Sequence, residues 1–454
     1  MKTYTQEVIA ELDRKETELW KLSREIWEHP ELALEERTSS QLLQTYLADQ
    51  GFTLESGLAG METAFCASWG AGKPVIGFLG EYDALPDMSQ AMEPRRCQLV
   101  PGGAGHACGH NLLGTAMAGA ATAVKELLER NGLPGTVRFY GCPAEEIMVG
   151  KIKMDADHIF DDCDVCLCWH PMGLNCVANY SYAAMTSIKF RFRGITSHAA
   201  EAPDQGRSAL DAVELMNVGA NYLREHMISQ ARIHYVITNG GGKPNVVPPE
   251  AESWYYVRAP YKSQVDSLVE RLIKIQQGAA LMTETEPSYT IESGCYNTIL
   301  VHRLNELLHE SMMRVPAPVW EEKDLSLAEE LLQTLPGDAL DHTLNGFDAK
   351  ELKGKKLHEG VMPLKMEPAF LAGSTDVSNV SRSVPTGQVF TCCVPVGVPG
   401  HTWQTVVSVG SDIGRKGMMY AAKVIADAAM VLFTQSEEVE QIKRDFEEAV
   451  KANA

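Results

Sequence analysis

The chain has 454 residues, of which 45% are hydrophobic and 22% are charged, and its formal net charge is −20. This composition is typical of a globular protein, and the length predicts two domains rather than a single core. The acidic balance argues against nucleic acid or an anionic membrane surface as a partner. A small anionic substrate would need a locally positive site, made by metal ions or by arginine.

The expected location follows from two further observations. The sequence begins without an apolar signal segment, and we find no apolar run of about 18 residues that would predict a membrane span. The 11 cysteines are scattered along the chain rather than grouped as a disulfide scaffold. We therefore expect a cytoplasmic protein with reduced thiols.

The first part of the chain predicts helices and then buried strands with polar ends. Residues 4–50 show two amphipathic helical patterns that break at His29-Pro30. Apolar runs over 75–80, 136–141 and 164–169 predict strands. Each run is followed by candidate functional residues: Glu81 and Asp83, then Glu145 and Glu146, then His170. Polar residues just past strand ends are typical of the functional edge of an open α/β sheet.

The pattern changes near residue 185. Residues 185–193 alternate like a half-exposed strand, and patterns for a helix, two strands, a helix and a strand follow. This βαββαβ order predicts a ferredoxin-like unit inserted into the first domain. We therefore predict an α/β protein with a mixed sheet over 1–184 and 296–454 and an insert over 185–295. Residues 315–370 show no pattern that we can assign.

The stretch Cys108-Gly109-His110 closes a glycine-rich loop just before a long helical pattern of small residues. A thiolate and an imidazole two residues apart could bind a metal ion, although such a pair alone is a weak signal. Glu146, His170 and His401 add a carboxylate and two imidazoles. Together these residues form a ligand set that a borderline-soft divalent cation prefers.

Each of these residues also has a purely structural interpretation. His170 could be a core histidine with a satisfied hydrogen bond, and His401 could be a solvated loop residue. Glu145 and Glu146 could form a solvated turn. Adjacent carboxylates after a buried strand could instead divide two tasks, one binding a metal ion while the other transfers a proton. The chain contains no Gly-x-Ser-x-Gly, phosphate-loop or His-Glu-x-x-His motif.

Three polar residues of the predicted insert are candidates for substrate contact: His198, Asn245 and Arg258. An arginine at a strand end can hold a carboxylate through two parallel hydrogen bonds. A surface ion pair is an equally ordinary use of such a residue.

The order of these motifs resembles the two-metal aminoacylase/carboxypeptidase family of metallopeptidases, and most closely its amidohydrolase branch. Within that branch, the sequences that start at Cys108 and Arg138 resemble the aminobenzoyl-glutamate utilization group. The resemblance runs from about residue 5 to residue 435 and rests on eight motifs: His29-Pro-Glu-Leu, Asp83-Ala-Leu-Pro, His106-Ala-Cys-Gly-His110, Pro143-Ala-Glu-Glu146, His170-Pro, Ser197-His-Ala-Ala, Asn245-Val-Val-Pro and His401-Thr.

The resemblance implies a mixed-sheet α/β metallopeptidase catalytic domain, two divalent metal ions, zinc or manganese, and an inserted lid domain that often dimerises. Glu145 would be the general base that takes a proton from the bridging water and returns it to the leaving amine. Asp83 would orient a metal ligand, and His198 would stabilise the oxyanion, in its own or a partner subunit's site. Asn245 and Arg258 would hold the substrate carboxylate. The implied metal ligands are Cys108, His110, Glu146, His170 and His401.

The chain departs from the family pattern at three places. Asn111 and Leu113 follow the Cys-Gly-His motif where many members of the amidohydrolase branch have Asp and a second His. Asn379 stands where a second acidic residue is expected, and Glu81 stands where carboxypeptidase relatives have a metal-binding His. These departures concern the metal ligands and the choice of substrate.

The resemblance implies hydrolysis of an N-acyl or N-aroyl amino acid with a free carboxylate, and p-aminobenzoyl-glutamate is the expected substrate. The active form would be a homodimer or a heterodimer with a related subunit. One alternative is a broader aminoacylase or dipeptidase. Another is a non-catalytic partner subunit of a related hydrolase, although the presence of Glu145, Glu146, His170 and His401 argues against it.

Overall fold

The structure, a computed structural model, describes residues 4–453 except the side chain of residue 342. The chain divides into two compact units. The first contains the chain up to Tyr180, Ile299–Ala369 and the residues from Asn379 onward, and the second contains Ser181–Thr298 and Phe370–Ser378. The predicted insert over 185–295 lies inside the second unit. The short segment Phe370–Ser378 joins that unit from a distant part of the sequence, which no local pattern indicated.

The helices are α1 (Thr5–Glu28), α2 (Arg37–Asp49), α3 (His110–Asn131), α4 (Gly150–Ala156), α5 (Ala209–Leu223), α6 (Lys262–Thr283), α7 (His302–Arg314), α8 (Glu322–Leu332), α9 (Ala339–Gly346), α10 (Val377–Ser383), α11 (Trp403–Val409), α12 (Asp412–Thr434) and α13 (Ser436–Ala452). The strands are β1 (Thr53–Ser56), β2 (Phe65–Ala71), β3 (Val75–Glu81), β4 (Gly135–Cys142), β5 (Val165–Met172), β6 (Cys176–Val177), β7 (Tyr180–Tyr182), β8 (Ala184–Arg193), β9 (Arg232–Asn239), β10 (Glu250–Ala259), β11 (Glu286–Cys295), β12 (Ala369–Leu371) and β13 (Thr386–Cys392).

A seven-stranded mixed sheet with the order β1-β2-β4-β3-β5-β13-β6 forms the centre of the first unit. The four strands β4, β3, β5 and β13 run parallel, and β1, β2 and β6 pair antiparallel at the two sides. The α/β class with a mixed sheet is therefore confirmed. The three apolar runs of the sequence are β3, β4 and β5, whose carboxyl ends meet at one edge of the sheet.

Helix α3 lies in the core of the first unit, where it contacts the sheet, α1 and α12. Its small residues allow close packing, because a Cβ at Gly119 would lie 2.7 Å from Leu19 Cδ1. A Cβ at Gly114 would lie 2.6 Å from the Glu81 carbonyl oxygen at the end of β3. The small-residue pattern of α3 thus brings the start of this helix close to the edge of the sheet where the polar residues gather.

Helix α12 is long and apolar enough to cross a membrane by length and composition, contrary to the expectation that the chain holds no such run. In the structure, 83% of its most apolar stretch is buried. Core helices of globular proteins pass the same test, so this single helix among the described residues is weak evidence for a membrane span.

The second unit has a four-stranded antiparallel sheet with the order β11-β8-β10-β9, and α5 and α6 pack on it. Its elements follow one another as β8, α5, β9, β10, α6 and β11, which is the predicted βαββαβ order. The core between sheet and helices includes Phe190, Val213, Tyr255 and Leu272. A lid or dimerisation role for this unit stays a prediction.

Candidate metal centre

Polar side chains from strand ends and loops gather at the carboxyl edge of the parallel strands. Gly109 has a left-handed backbone (φ 80°) and immediately precedes α3, which begins at His110. This turn separates Cys108, at the end of the loop, from His110, in the first turn of the helix. The carboxyl end of β5 supplies His170 to the same region.

The ligand atoms at this edge form three overlapping groups, each with its atoms within 4.8 Å of one another. The groups are Cys108 with His110 and His170, Cys108 with Glu146 and His401, and Glu81 with His110 and Glu145. Cys108 Sγ lies 3.2 Å from His170 Nε2, and His401 Nε2 lies 3.4 Å from Glu146 Oε2. The five residues predicted as metal ligands are therefore brought together, and the Cys108 sulfur is common to two groups.

The donor atoms fit a pair of divalent cations. Within the described residues, His110 Nε2 and Glu146 Oε1 are buried without a hydrogen-bond partner. Buried polar atoms are almost always paired, because an unpaired one costs about 1–3 kcal/mol. Sulfur, imidazole and carboxylate ligands that converge in this way suit zinc and also admit manganese. His110 Nε2 and Glu146 Oε1 belong to different ligand groups that share the Cys108 thiol, as expected if two adjacent ions bind here.

Asp83 holds His110 in its orientation. Asp83 Oδ1 lies 2.8 Å from His110 Nδ1, and Asp83 Oδ2 accepts the backbone N–H of Glu146 at 2.9 Å. Burial opposes ionisation of this carboxyl, but the His110 imidazole and the N–H donors hold its pKa below the ordinary value. Burial opposes a charged His110, but Cys108 and Asp83 raise the pKa of His110 well above its ordinary value. A charged Asp83 that accepts the Nδ1 proton turns Nε2 into the cluster, where a bound cation would replace the Nε2 proton.

His170 is oriented by its own backbone. Its Nδ1 donates to the carbonyl oxygen of Pro171 at 2.9 Å, so its Nε2 carries the lone pair that faces Cys108. Burial, together with the nearby His110, lowers the pKa of His170 to about 4. This imidazole is therefore neutral at physiological pH, which is the form that binds a metal ion.

Burial raises the pKa of the Cys108 thiol well above its ordinary value, and the Glu146 carboxylate adds to this effect. The protein by itself thus favours the protonated thiol. A cation at the site would reverse this preference, because a metal-bound thiol is deprotonated outright.

Glu145 and Glu146 lie in a short 3-10 turn, Glu145–Ile147, between two left-handed residues, Ala144 (φ 58°) and Met148 (φ 56°). The tight turn sends the neighbouring carboxylates to different groups, Glu145 towards His110 and Glu146 towards Cys108. Burial raises the pKa of Glu146 to about 7. The structure thus separates the two carboxylates, and their division into a base and a ligand stays a prediction.

Glu36 fixes the start of this turn. Its Oε1 accepts the Ala144 N–H at 2.9 Å, and its Oε2 accepts the Thr63 hydroxyl at 3.0 Å. On the opposite side of the cluster, the backbone N–H of His401 donates to the carbonyl oxygen of Ala107 at 3.0 Å. His401 also has a left-handed backbone (φ 60°), and 55% of its side chain is exposed. The ligand cluster is therefore accessible from the His401 side.

An apolar cavity of about 50 Å³ adjoins the cluster. Cys108 and His170 form its polar end, and Leu344, Phe347 and Val398 are among its apolar walls. Leu344 lies in α9, inside the segment 315–370 that the sequence left unassigned. No sequence pattern connected this helix with the cysteine and histidine motifs.

The sequence pattern of peptidase family M20/M25/M40 matches residues 77–322 of the chain. One subunit of the p-aminobenzoyl-glutamate hydrolase of Escherichia coli (strain K12) is 41% identical over 439 residues, which cover 94% of this chain and 91% of the relative. This chain belongs to the M20/M25/M40 family. As a member of it, the chain is a metal-dependent amidohydrolase, and the family resemblance drawn from the eight motifs is confirmed.

Two further proteins extend this comparison. The Xaa-Arg dipeptidase of Mus musculus is 29% identical, over 96% of this chain and 90% of its own length. The crystal structure of a dinuclear metal-binding M20 peptidase from Bacillus subtilis has the same fold, with a TM-score of 0.57 and 17% identity. That match covers 91% of this chain and 98% of the Bacillus chain.

The second unit of this M20 protein carries the predicted substrate contacts. His198 is exposed, and its Nδ1 accepts the backbone N–H groups of Ala200 and Glu201 at 3.3 and 3.2 Å. Its proton is therefore on Nε2, where it can be donated to an oxyanion. Asn245 is also exposed and lies beside His198, since its carbonyl oxygen accepts the Ala199 N–H at 3.0 Å.

Arg258 is not brought together with His198 and Asn245. His198 pairs with Val246, next to Asn245, and both lie before β10, which begins at Glu250. Arg258 lies near the other end of that strand. Eight residues of strand separate Arg258 from Glu250, which corresponds to about 27 Å. Arg258 instead donates to the Ser374 hydroxyl at 2.7 Å. The second unit of one chain therefore does not bring His198, Asn245 and Arg258 to the same small substrate.

A lysine that no sequence pattern singled out lies near the ligand atoms of the M20 centre. Lys151, in α4, is completely buried, and its Nζ lies 2.8 Å from Glu81 Oε1. A Cβ at Gly150 would lie 1.7 Å from the Pro143 carbonyl oxygen, so glycine is required for α4 to begin here. Gly150 is a sequence signal for the start of α4, but it does not indicate that Lys151 pairs with Glu81.

Replacing Gly109 with Ala is expected to reduce both the stability and the metal affinity of this M20 protein. The new Cβ would lie 2.9 Å from Pro171 Cγ in a left-handed backbone, and the strain should cost about 1–3 kcal/mol. Relief of the clash would move Cys108 relative to His110. Urea unfolding and metal analysis would measure the two effects.

Gly132→Ala is the matched control, because Gly132 ends the same helix with φ 60° and has open space around its Cβ position. It should lose about 1–2 kcal/mol from the backbone conformation alone and keep normal metal content. Equal metal affinity in the two variants would contradict the role given to the Gly109 turn.

Proposed function

We propose that the chain hydrolyses the amide bond of an N-acyl or N-aroyl amino acid, and that its substrate is p-aminobenzoyl-glutamate. The products are p-aminobenzoate and glutamate. The observation that carries this proposal is the shared thiol of Cys108 between two ligand groups, with Glu145 directed at the same cluster. The similarity to the p-aminobenzoyl-glutamate hydrolase of Escherichia coli supports the choice of substrate.

In this proposal Cys108, His110, Glu146, His170 and His401 hold two divalent ions. Bound ions of this kind lower the pKa of a water molecule and polarise the scissile carbonyl. The thiolate ligand favours zinc, and the imidazoles and carboxylates also admit manganese. The unpaired, buried His110 Nε2 and Glu146 Oε1 support the assignment of ligands on both sides of the thiol.

Glu145 transfers the proton in the proposed reaction. Its side chain is buried and lies near His110, in the group of ligand atoms that includes Glu81. The carboxylate accepts a proton from the attacking water and then donates it to the amide nitrogen, which leaves as an amine.

The proposed substrate contacts are the apolar cavity of the first unit and three residues of the second unit. The apolar cavity of about 50 Å³ beside Cys108 and His170 can take part of an apolar acyl group, whereas a whole aroyl ring needs about 150 Å³. Arg258 binds a substrate carboxylate, and His198 donates its Nε2 proton to the developing oxyanion. Because His198 and Asn245 lie far along the sheet from Arg258, we propose that they act in the site of a second protomer.

The partner in this arrangement is a second copy or a related chain. The Escherichia coli relative is named as one subunit of its hydrolase, which supports a heterodimer with a related chain. A homodimer would supply the same residues by symmetry. The acidic chain offers no support for a nucleic-acid partner, and we propose a cytoplasmic enzyme.

The Xaa-Arg dipeptidase relative favours a dipeptide as the alternative substrate. The test is hydrolysis of p-aminobenzoyl-glutamate, of its α-carboxamide and of an Xaa-Arg dipeptide by the metal-loaded chain, alone and with a related M20 chain. We expect p-aminobenzoyl-glutamate to be cleaved fastest and the carboxamide to lose about tenfold or more in kcat/KM. Faster dipeptide cleavage would reject the proposed substrate, and cleavage only in the mixture would establish the heterodimer.

A further inference from the structure

Glu81 lies between Lys151 and His110, at the end of β3. Its side chain is 4% exposed, and those of Lys151 and His110 are completely buried. Glu81 Oε1 lies 2.8 Å from Lys151 Nζ, and Glu81 Oε2 lies 3.3 Å from His110 Nε2. The two oxygens of one buried carboxylate therefore face two different groups.

The contact between Glu81 Oε2 and His110 Nε2 is not a hydrogen bond, since His110 Nε2 has no hydrogen-bond partner among the described residues. The Nδ1 proton of His110 is directed at Asp83 Oδ1. Nε2 is therefore the ring nitrogen of His110 that remains to bind a metal ion, and a carboxylate oxygen lies 3.3 Å from it. Two ligand atoms that each lie about 2.0–2.2 Å from one tetrahedral zinc ion are themselves about 3.3–3.6 Å apart.

We propose that Glu81 is a further ligand of the ion that His110 binds, in addition to the five ligands of the proposed function on which this inference rests. Glu81, His110 and Glu145 each offer one ligand atom to a group within 4.8 Å that does not include Cys108. Glu81 places an oxygen ligand at the His110 side of the centre. A carboxylate oxygen is an ordinary ligand for zinc and manganese.

Lys151 is the positioning residue for this ligand. By holding Oε1, it leaves one oxygen of Glu81 free to bind and prevents both oxygens from binding the same ion. It also balances the added negative charge, so that the Glu81–Lys151 pair is neutral as a whole. Burial of a lysine is expensive unless it is paired, and the Glu81 carboxylate provides that pairing in α4.

The experiment titrates the metal-free chain with two ions. Binding of Zn²⁺ is measured by calorimetry, and binding of Co²⁺ is measured by its visible absorption. The wild type should bind two ions. Glu81→Gln should weaken one of them about tenfold or more and change the cobalt spectrum, while the other ion is retained. Lys151→Met should keep both ions. Without metal it should unfold at a lower temperature than the wild type, and added metal should raise its Tm by more than it raises that of the wild type.

The control is Asp427→Asn, which removes a buried carboxylate paired with Arg314 at 2.8 Å, away from the metal ligands. It should lose stability without altering the titration. If Glu81→Gln does not fold, the double variant Glu81→Gln with Lys151→Met removes both charges and should show the same weakened ion.

A wild-type titration curve and cobalt spectrum for Glu81→Gln, or for the double variant, would overturn the proposal. Glu81 would then serve only as the partner of Lys151. Because the readout is metal binding rather than turnover, these results are independent of whether p-aminobenzoyl-glutamate is the substrate.

Discussion

Replacing Glu145 with Gln is expected to lower kcat for p-aminobenzoyl-glutamate by about 10²–10⁴-fold while both metal ions stay bound. The amide side chain keeps the shape of the carboxylate but cannot accept the proton of the attacking water. Glu145 is buried, and the turn directs the neighbouring Glu146 to Cys108 instead. Steady-state kinetics and metal analysis of the same preparation would measure the effect.

The shape of the pH profile separates a base from a merely structural residue. The acidic limb of kcat/KM in the wild type should be absent or shifted in Glu145→Gln, because the group that must be ionised has been removed. Glu329→Gln, an exposed carboxylate paired with Lys356, is the control and should behave like the wild type. A Glu145→Gln variant with normal metal content and more than about a tenth of wild-type kcat would contradict the assignment.

Replacing Cys108 with Ser is expected to remove both metal ions and, with them, all measurable hydrolysis. The sulfur belongs to the group of His110 and His170 and to the group of Glu146 and His401, so its loss affects both sides of the centre. A serine hydroxyl is a far weaker ligand than a thiolate for a borderline-soft cation. We expect affinity for each ion to fall by about 100-fold or more, as equilibrium dialysis with elemental analysis would show.

Cys97→Ser is the matched control, since Cys97 is a half-exposed free cysteine outside the ligand groups. It should retain two ions and full activity. If Cys108→Ser lost only one ion, the thiol would be a ligand on one side, and the description of a shared sulfur would be wrong.

The sequence predicted much of the fold because the signals were local. Apolar runs ending in polar residues identified β3, β4 and β5, and alternation followed by helical periodicity identified the βαββαβ unit. The spacing within Cys108-Gly109-His110 also predicted a turn that the left-handed Gly109 provides. Such patterns depend on neighbours within a few residues and can be read without knowledge of the tertiary structure.

Other features depend on contacts between distant segments. Nothing near Lys151 in the sequence indicates that this lysine is buried against Glu81, 70 positions earlier. The wall that α9 gives to the apolar cavity depends on packing between segments more than 150 residues apart. The resemblance assigned Asn245 and Arg258 to one carboxylate, whereas the antiparallel sheet places them far apart in a single unit. Register and topology, rather than composition, decide these relations.

Hydrolysis by this chain is expected to depend on two ions in one centre, linked by the Cys108 thiol. The most direct measurement is release of p-aminobenzoate from p-aminobenzoyl-glutamate as Zn²⁺ or Mn²⁺ is added to the metal-free chain, alone and with a related M20 chain. We expect activity to rise until two ions are bound per chain and to be absent throughout in Cys108→Ser. Activity in the metal-free chain, or no product with two bound ions and the partner present, would contradict this account.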